Sequence, residues 1–202
     1  DRAKDGSGYY EMANHAVVRM EPGSTFKTIS LMAALDDGKV KMKDTIRVEH
    51  DGWWYHGAKH MDAHPSDTVY TIRQAMAVSS NIALAKIVTD GYNGSAKKFV
   101  KKLRNMGLCD SVDFTIPGAN QALINVPKDT VTISKMAYGY SVELSPLQIL
   151  MFYNGIANDG KMISPLFVKE IRKDGKTIEE FESTVIKGSM CDDSTLEGVR
   201  EC

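Results

Sequence analysis

Glu21-Pro22-Gly23-Ser24-Thr25-Phe26-Lys27-Thr28-Ile29-Ser30-Leu31-Met32-Ala33-Ala34-Leu35-Asp36-Asp37-Gly38 decides how the rest of this 202-residue chain is read. Pro22 and Gly23 interrupt the backbone, an apolar run from Phe26 to Leu35 follows, and Asp36-Asp37-Gly38 closes it. Those are the start and stop signals of a helix. Apolar residues cover most of its surface, so the helix is predicted to be buried. Ser24 then stands at its N-terminus, where free N–H groups and the dipole favour negative charge, and Lys27 lies one turn on, on the same face. A lysine deprived of water loses basicity and can take a proton from a neighbouring hydroxyl. Ser24 and Lys27 are therefore a candidate nucleophile and base for acyl transfer.

S-x-x-K alone says little, since about one match is expected by chance in a chain of this length. Ser95-Ala96-Lys97-Lys98 is a second match. It follows Gly91 and Gly94 and leads into Lys97, Lys98, Lys101 and Lys102, interleaved with Phe99, Val100 and Leu103. This reads as a capped surface helix with a solvated basic face. Ser79-Ser80-Asn81 falls between two predicted helices, residues 71–78 and 82–89, both rich in Ala, Ile, Val and Met. On its own it reads as a helix junction whose polar side chains satisfy loose backbone groups. Beside the first motif it offers a second hydroxyl, Ser79, and an amide, Asn81.

Together, these motifs resemble those of the serine acyl transferases that include penicillin-binding proteins and serine β-lactamases, whose signature is S-x-x-K, S-x-N and K-T-G. The wider phrasing is similar to the transpeptidase domain of class B penicillin-binding proteins. It comprises Tyr9-Tyr10-Glu11-Met12, then the Glu21 to Lys27 stretch, Val78-Ser79-Ser80-Asn81-Ile82-Ala83, Tyr138-Gly139-Tyr140-Ser141-Val142 and Leu144-Ser145-Pro146-Leu147-Gln148. The likeness runs over residues 9–165. It implies that Ser24 attacks the carbonyl of a D-Ala-D-Ala stem peptide, that Lys27 takes its proton, that Ser79 relays a proton to the leaving amine, and that Asn81 holds substrate or Lys27. It also implies β-lactam binding, contacts of the parent protein with division or elongation proteins, and a site on the extracytoplasmic (periplasmic) face of the membrane.

One part of the signature is missing: neither K-T-G nor K-S-G occurs downstream of Asn81. Lys173-Asp174-Gly175 imitates it, but it lies between strand-like runs at 166–172 and 177–181, where Asp-Gly marks a hairpin turn. The resemblance therefore implies a partial transpeptidase domain over residues 1–202. Its fold class would be α+β, the predominantly helical part of the β-lactamase-like fold, lacking most of the central sheet. Such a piece holds half of an active site and is expected to turn over poorly or not at all. Loss of the flanking strands is expected to favour self-association. Two other readings stay open: a β-lactamase or β-lactam sensor with the same nucleophile and base, and a catalytically silent helical interaction module.

Composition excludes other classes. With 25 basic and 26 acidic residues the net charge is −1, and no long basic run lies outside residues 97–102, so nucleic acid is not an expected partner. At 43% hydrophobic the chain can bury one sizeable core, but no apolar stretch reaches membrane-spanning length, so any anchor is expected outside these residues. Cys109, Cys191 and Cys202 form neither a disulfide framework nor a metal spacing. His56, His60 and His64 are four apart, with His50 nearby, but Gly52, Gly57, Asp62 and Pro65 make residues 39–65 a loop-rich segment, where the helical ligand spacing loses meaning. No metal or cofactor is expected. Trp53, Trp54 and Tyr55 in that segment read as a local hydrophobic plug in preference to part of a partner surface. Helices are further predicted at 97–106, closed by Gly107, and at 147–157, opened by Ser145-Pro146, with an irregular stretch at 111–130 that could border a groove.

Overall fold

The computed structural model describes residues 2–6, 8–11, 13–109, 116 and 118–202. Its helices are α1 (Lys27–Asp36), α2 (Ile72–Ala77), α3 (Asn81–Gly91), α4 (Ala96–Asn105), α5 (Thr132–Met136), α6 (Pro146–Ala157) and α7 (Asp193–Arg200). Strands β1 (Arg2–Asp5) and β2 (Gly8–Glu11) form one hairpin, and β3 (Thr45–Val48) pairs with β6 (Thr68–Thr71). β4 (Trp53–Tyr55) pairs with β5 (Ala58–His60), β8 (Glu170–Lys173) with β9 (Lys176–Glu180), and β7 (Met162–Ile163) with β10 (Val185–Lys187). Every sheet among the described residues is two-stranded and antiparallel, so this is an α+β arrangement dominated by helices.

The core is organised around α1. Ile29, Met32 and Ala33 face a cluster built from α4, α5, α6 and α7, including Phe99, Leu103, Ile133, Phe152 and Val199. Leu31 and Ala34 face a second cluster built from β3, α2 and α3, including Val48, Ile72, Ala75, Ile82 and Leu84. A helix apolar all round can satisfy both clusters only from the middle, which is where the composition of residues 26–35 predicted it. At its C-terminal end, Lys102 of α4 reaches Asp36 and sits 3.0 Å from Asp37, while the Tyr92 hydroxyl donates to Ala33 O at 3.0 Å and Asp37 Oδ2 at 3.1 Å.

Several sequence expectations meet corrections here. Residues 39–65 are not simply loop: three short strands lie there, and the His56-Gly57 turn, with both residues at positive φ, closes the β4–β5 hairpin. Trp53 stacks on Tyr55 at 5.3 Å, whereas Trp54 points out and is 63% exposed, so only part of the aromatic trio forms a plug. The basic face of α4 is not uniformly solvated, because Lys102 turns into the half-buried Asp36–Asp37 pair. Helices α5 and α7 and the β1–β2 hairpin have no counterpart in the sequence reading. Of the irregular stretch at 111–130, residues 111–115 and 117 lie outside the described residues; the remainder carries one isolated bridge, Leu123 to Glu143. The Asp174-Gly175 hairpin and the Ser145-Pro146 start of α6 form as predicted, and the structure adds a capping box between Ser145 and Gln148. No helix among the described residues is long and apolar enough to cross a membrane.

Candidate active site

Ser24 lies in a 3₁₀ turn, Gly23–Phe26, that feeds directly into α1 at Lys27, so the helix starts tighter than an ideal α-helix would. Three contacts from distant parts of the chain hold this turn. Gly23 N donates to Gly139 O at 3.2 Å, Ser141 N donates to Glu21 Oε1 at 2.7 Å, and the Tyr153 hydroxyl of α6 donates to Thr25 O at 2.8 Å. The first is so close that a Cβ on Gly139 would stand 2.1 Å from Gly23 O. This accounts for the glycine in Tyr138-Gly139-Tyr140, which also has φ +90°. Ser24 itself is exposed, and its hydroxyl has no hydrogen-bond partner among the described residues.

Lys27 is the opposite case. It is 2% exposed, with its amine donating to the Ser79 carbonyl and, at 2.9 Å, to Ser79 Oγ. Burial pushes its pKa down to about 8, against the smaller opposing pull of the Asp62 carboxylate. The structure thus brings Lys27 and Ser79 together across 52 residues of sequence, with Ser24 one turn away along the same helix. Asn81 takes a different partner: its Nδ2 donates to Met61 O at 2.8 Å.

The junction carrying Ser79 follows from its local chemistry. Thr71 and Gln74 form a capping box that starts α2. The helix ends with Ser79 N bonded to Met76 O and Ser80 N to Ala75 O, both at 2.9 Å, the paired bonds of a Schellman motif. That motif needs a left-handed residue, usually glycine, and Ser79 occupies the position at φ +53°. Ser80 then caps α3, its Oγ accepting from Ala83 N at 3.0 Å.

Two residues that sequence reasoning did not assign to the site lie against it. Asp62 accepts from Ser80 Oγ at 2.7 Å and from Ile82 N at 3.0 Å. His60, 1% exposed, bonds the Tyr138 hydroxyl at 2.7 Å through Nδ1, joining the β5 end to the loop that packs on Gly23. Burial lowers the His60 pKa, with the Lys135 charge acting in the same sense, and burial raises that of Tyr138 to about 12. The histidine therefore stays neutral near pH 7. His56 sits in the hairpin turn, and His50 and His64 are exposed, so the four-residue spacing does not gather them on one face. No cluster among the described residues is arranged to hold a metal.

A family model described as the penicillin binding protein transpeptidase domain matches residues 1–202. The chain is 28% identical over 160 residues to the "Probable peptidoglycan D,D-transpeptidase PenA" of Neisseria flavescens, covering 78% of this chain and 38% of that protein. It is 26% identical over 145 residues to the "Probable peptidoglycan D,D-transpeptidase PbpC" of Pseudomonas aeruginosa, covering 71% of this chain and 25% of that one. Among solved structures, the TP domain of penicillin-binding protein 3 from Burkholderia pseudomallei aligns with a TM-score of 0.74 at 22% identity, over 92% of this chain and 53% of that chain. A peptidoglycan glycosyltransferase from Burkholderia ambifaria aligns with the same score and identity, over 92% and 55%. The chain thus spans well under half the length of these two curated relatives.

Proposed function

The chain belongs to the penicillin-binding protein transpeptidase domain family, and from that membership we propose that it carries the nucleophile half of a peptidoglycan D,D-transpeptidase site. The observation that carries this reading is Lys27: a buried amine, lowered to about pKa 8, bonded to Ser79 Oγ beside an exposed serine at a helix start. A lysine of that pKa is neutral in a usable fraction of molecules near neutral pH and can act as a base.

In the proposed reaction Ser24 Oγ attacks the carbonyl carbon of the penultimate D-Ala, and its proton passes to Lys27 Nζ. The tetrahedral oxyanion meets the Ser24 N–H, one of the unpaired donors at the start of the helix. Collapse breaks the C–N bond, and the leaving amine takes a proton from Lys27 through Ser79 Oγ. The resulting ester is then attacked by an acceptor amine, whose proton returns along the same path as Ser24 is released. Asn81, whose Nδ2 is anchored to Met61 O, is assigned the role of orienting the substrate through its remaining amide oxygen. A β-lactam would follow the first half only, the opened ring remaining on Ser24.

K-T-G is absent from the 202 residues, and with it the second oxyanion donor and the carboxylate-binding strand of the signature. Loss of one such donor costs about 10²- to 10³-fold in rate, so these residues alone turn over poorly. We further propose an extracytoplasmic setting for the parent protein, with the stem peptide as substrate and division or elongation proteins as its contacts. Intact-mass spectrometry after incubation with benzylpenicillin tests the core of the reading. A penicilloyl adduct on the wild-type chain, or on a longer chain supplying K-T-G, that disappears in Ser24→Ala supports it. An adduct that survives Ser24→Ala, or none on either chain, overturns it.

A further inference from the structure

Ser79 presents two oxygens to Lys27, and it does so from a left-handed backbone that a serine adopts at a cost. Something must hold it there. The Schellman bonds fix the residue from the α2 side. From the α3 side, three successive residues are tied to the segment just after β5. Ser80 Oγ donates to Asp62 Oδ2 at 2.7 Å, Asn81 Nδ2 donates to Met61 O at 2.8 Å, and Ile82 N donates to Asp62 Oδ1 at 3.0 Å. Both oxygens of Asp62 are therefore spent on the junction, and neither reaches Lys27 directly.

The clamp has its own support. Asp62 follows β5, whose last residue, His60, is fully buried and bonded to Tyr138, and Tyr138 precedes the Gly139 that touches Gly23. One continuous set of contacts thus runs from the Ser24 turn, through Gly139, Tyr138, His60 and Asp62, to Ser80 and Ser79. We propose that Asp62 is a positioning residue of the acylation site, clamping the first turn of α3 so that Ser79 keeps its left-handed geometry and both its oxygens stay on Lys27. This rests on Lys27 acting as the base.

The clamp also places a negative charge near the base. Facing Lys27, the α2–α3 junction contributes only the hydroxyl and carbonyl of Ser79, and the segment after β5 contributes Asp62. On the far side of that segment His60 is kept neutral by burial and the Lys135 charge. Asp62 is thus the one acid acting on Lys27 among the described groups, and its charge favours the protonated amine. Asp62→Asn removes the charge and keeps an acceptor for Ile82 N; Asp62→Ala removes both.

The test is a ¹³C-lysine NMR titration of the whole chain, with the Lys27 signal assigned by Lys27→Arg, alongside hydrogen exchange at the Ile82 amide. Asp62→Asn should lower the Lys27 midpoint by about half a unit or more, the expected sign for loss of a nearby opposite charge. It should also retain most of the Ile82 protection. Asp62→Ala should lose that protection and, on any chain that acylates, slow benzylpenicillin acylation by roughly tenfold or more, because displacements of an ångström at a reacting centre carry penalties of that order. An unchanged Lys27 midpoint in Asp62→Asn, together with unchanged Ile82 exchange in Asp62→Ala, overturns the proposal. If Asp62→Ala does not fold, an unchanged midpoint in Asp62→Asn suffices to overturn it. The titration and exchange do not require turnover, so they fail or succeed separately from the penicilloyl adduct that tests the transpeptidase reading.

Discussion

Replacing Gly139 with alanine probes the contact on which the position of Ser24 depends. An alanine Cβ there would fall 2.1 Å from Gly23 O and 2.7 Å from Gly23 N, both main-chain atoms with no rotamer to yield. The two backbones would have to separate by roughly 1 Å or more in an interior that tolerates little change of volume. Separation breaks the 3.2 Å bond from Gly23 N to Gly139 O, worth about 1 kcal/mol. Holding alanine at φ +90° adds about 1–2 kcal/mol of backbone strain. Displacing buried neighbours such as Val142 brings the total to about 3 kcal/mol, a large share of the 5–15 kcal/mol by which domains are usually stable. For a chain of this size that corresponds to a fall in melting midpoint of about 6–12 °C. Gly175→Ala is the matched control. It has φ +77° but nothing within 4 Å of its Cβ, so it should show the strain without the clash. Thermal unfolding of the two variants, read by circular dichroism, isolates the clash as their difference. If Gly139→Ala melts within 2 °C of Gly175→Ala, the close approach of Gly139 to Gly23 is not a constraint in solution.

The ionisation of Lys27 gives a pH dependence with a definite sign. With a folded pKa of about 8 against 10.5 unfolded, the unfolded chain binds the extra proton between those values, so stability contributed by this residue rises as pH climbs from about 8 towards 10.5. The gap in urea midpoint between wild type and Lys27→Met should therefore shift in favour of wild type over that window, and β-lactam acylation should reach half its maximum near pH 8. Ser79→Gly places the residue a Schellman motif prefers at φ +53° but removes the hydroxyl that Lys27 donates to, so strain relief and bond loss of about 1 kcal/mol each should leave stability within about 1 kcal/mol of wild type while abolishing acylation. A marked loss of stability by differential scanning fluorimetry would contradict the strain assigned to Ser79. Lys102→Met leaves Asp36 and Asp37 without their cation at a half-buried site and should cost about 2–3 kcal/mol in urea unfolding. Breaking the exposed Arg47–Asp67 pair with Arg47→Ala should cost less than about 1 kcal/mol.

What the sequence made legible was whatever depends on neighbours in the chain. The mostly apolar composition of residues 26–35 identified α1 as a core helix, Ser145-Pro146 announced α6, and Asp174-Gly175 marked a hairpin turn. Helix α5 is five residues long, too short for an amphipathic repeat to stand out. Helix α7 carries Gly198 in its interior, a poor helix former that weakens the local signal; a Cβ there would stand 3.0 Å from Met42 Cγ, a contact from another part of the chain. The β4–β5 hairpin carried a readable signal, two residues ending in glycine between short runs, but the histidines and glycines around it argued for loop. The site divides in the same way. Motifs read together with the family resemblance nominated Ser24, Lys27, Ser79 and Asn81, of which the structure joins Lys27 to Ser79, whereas Asp62 meets Ser80 across 18 residues and His60 meets Tyr138 across 78, distances over which no local pattern operates.

The residues that break local rules are the ones gathered at this site, and each departure is held from elsewhere. Serine occupies the glycine position of a Schellman motif, and Asp62 with Met61 pins the helix that follows. Lys27 is buried with no direct carboxylate partner among the described residues, and its amine rests on the two oxygens of that strained serine. Ser24, the proposed nucleophile, is exposed on a 3₁₀ turn and its hydroxyl has no partner among the described residues, yet the turn itself is fastened through Gly23, Glu21 and Thr25 to two distant elements. A hydroxyl on a fixed turn, one helical turn from an amine of lowered pKa, is the arrangement that the proposed acyl transfer requires. The compensation comes from α1, whose Ile29, Leu31, Met32, Ala33, Ala34 and Leu35 pack into two hydrophobic clusters and so hold Lys27 and the preceding Ser24 turn in one frame.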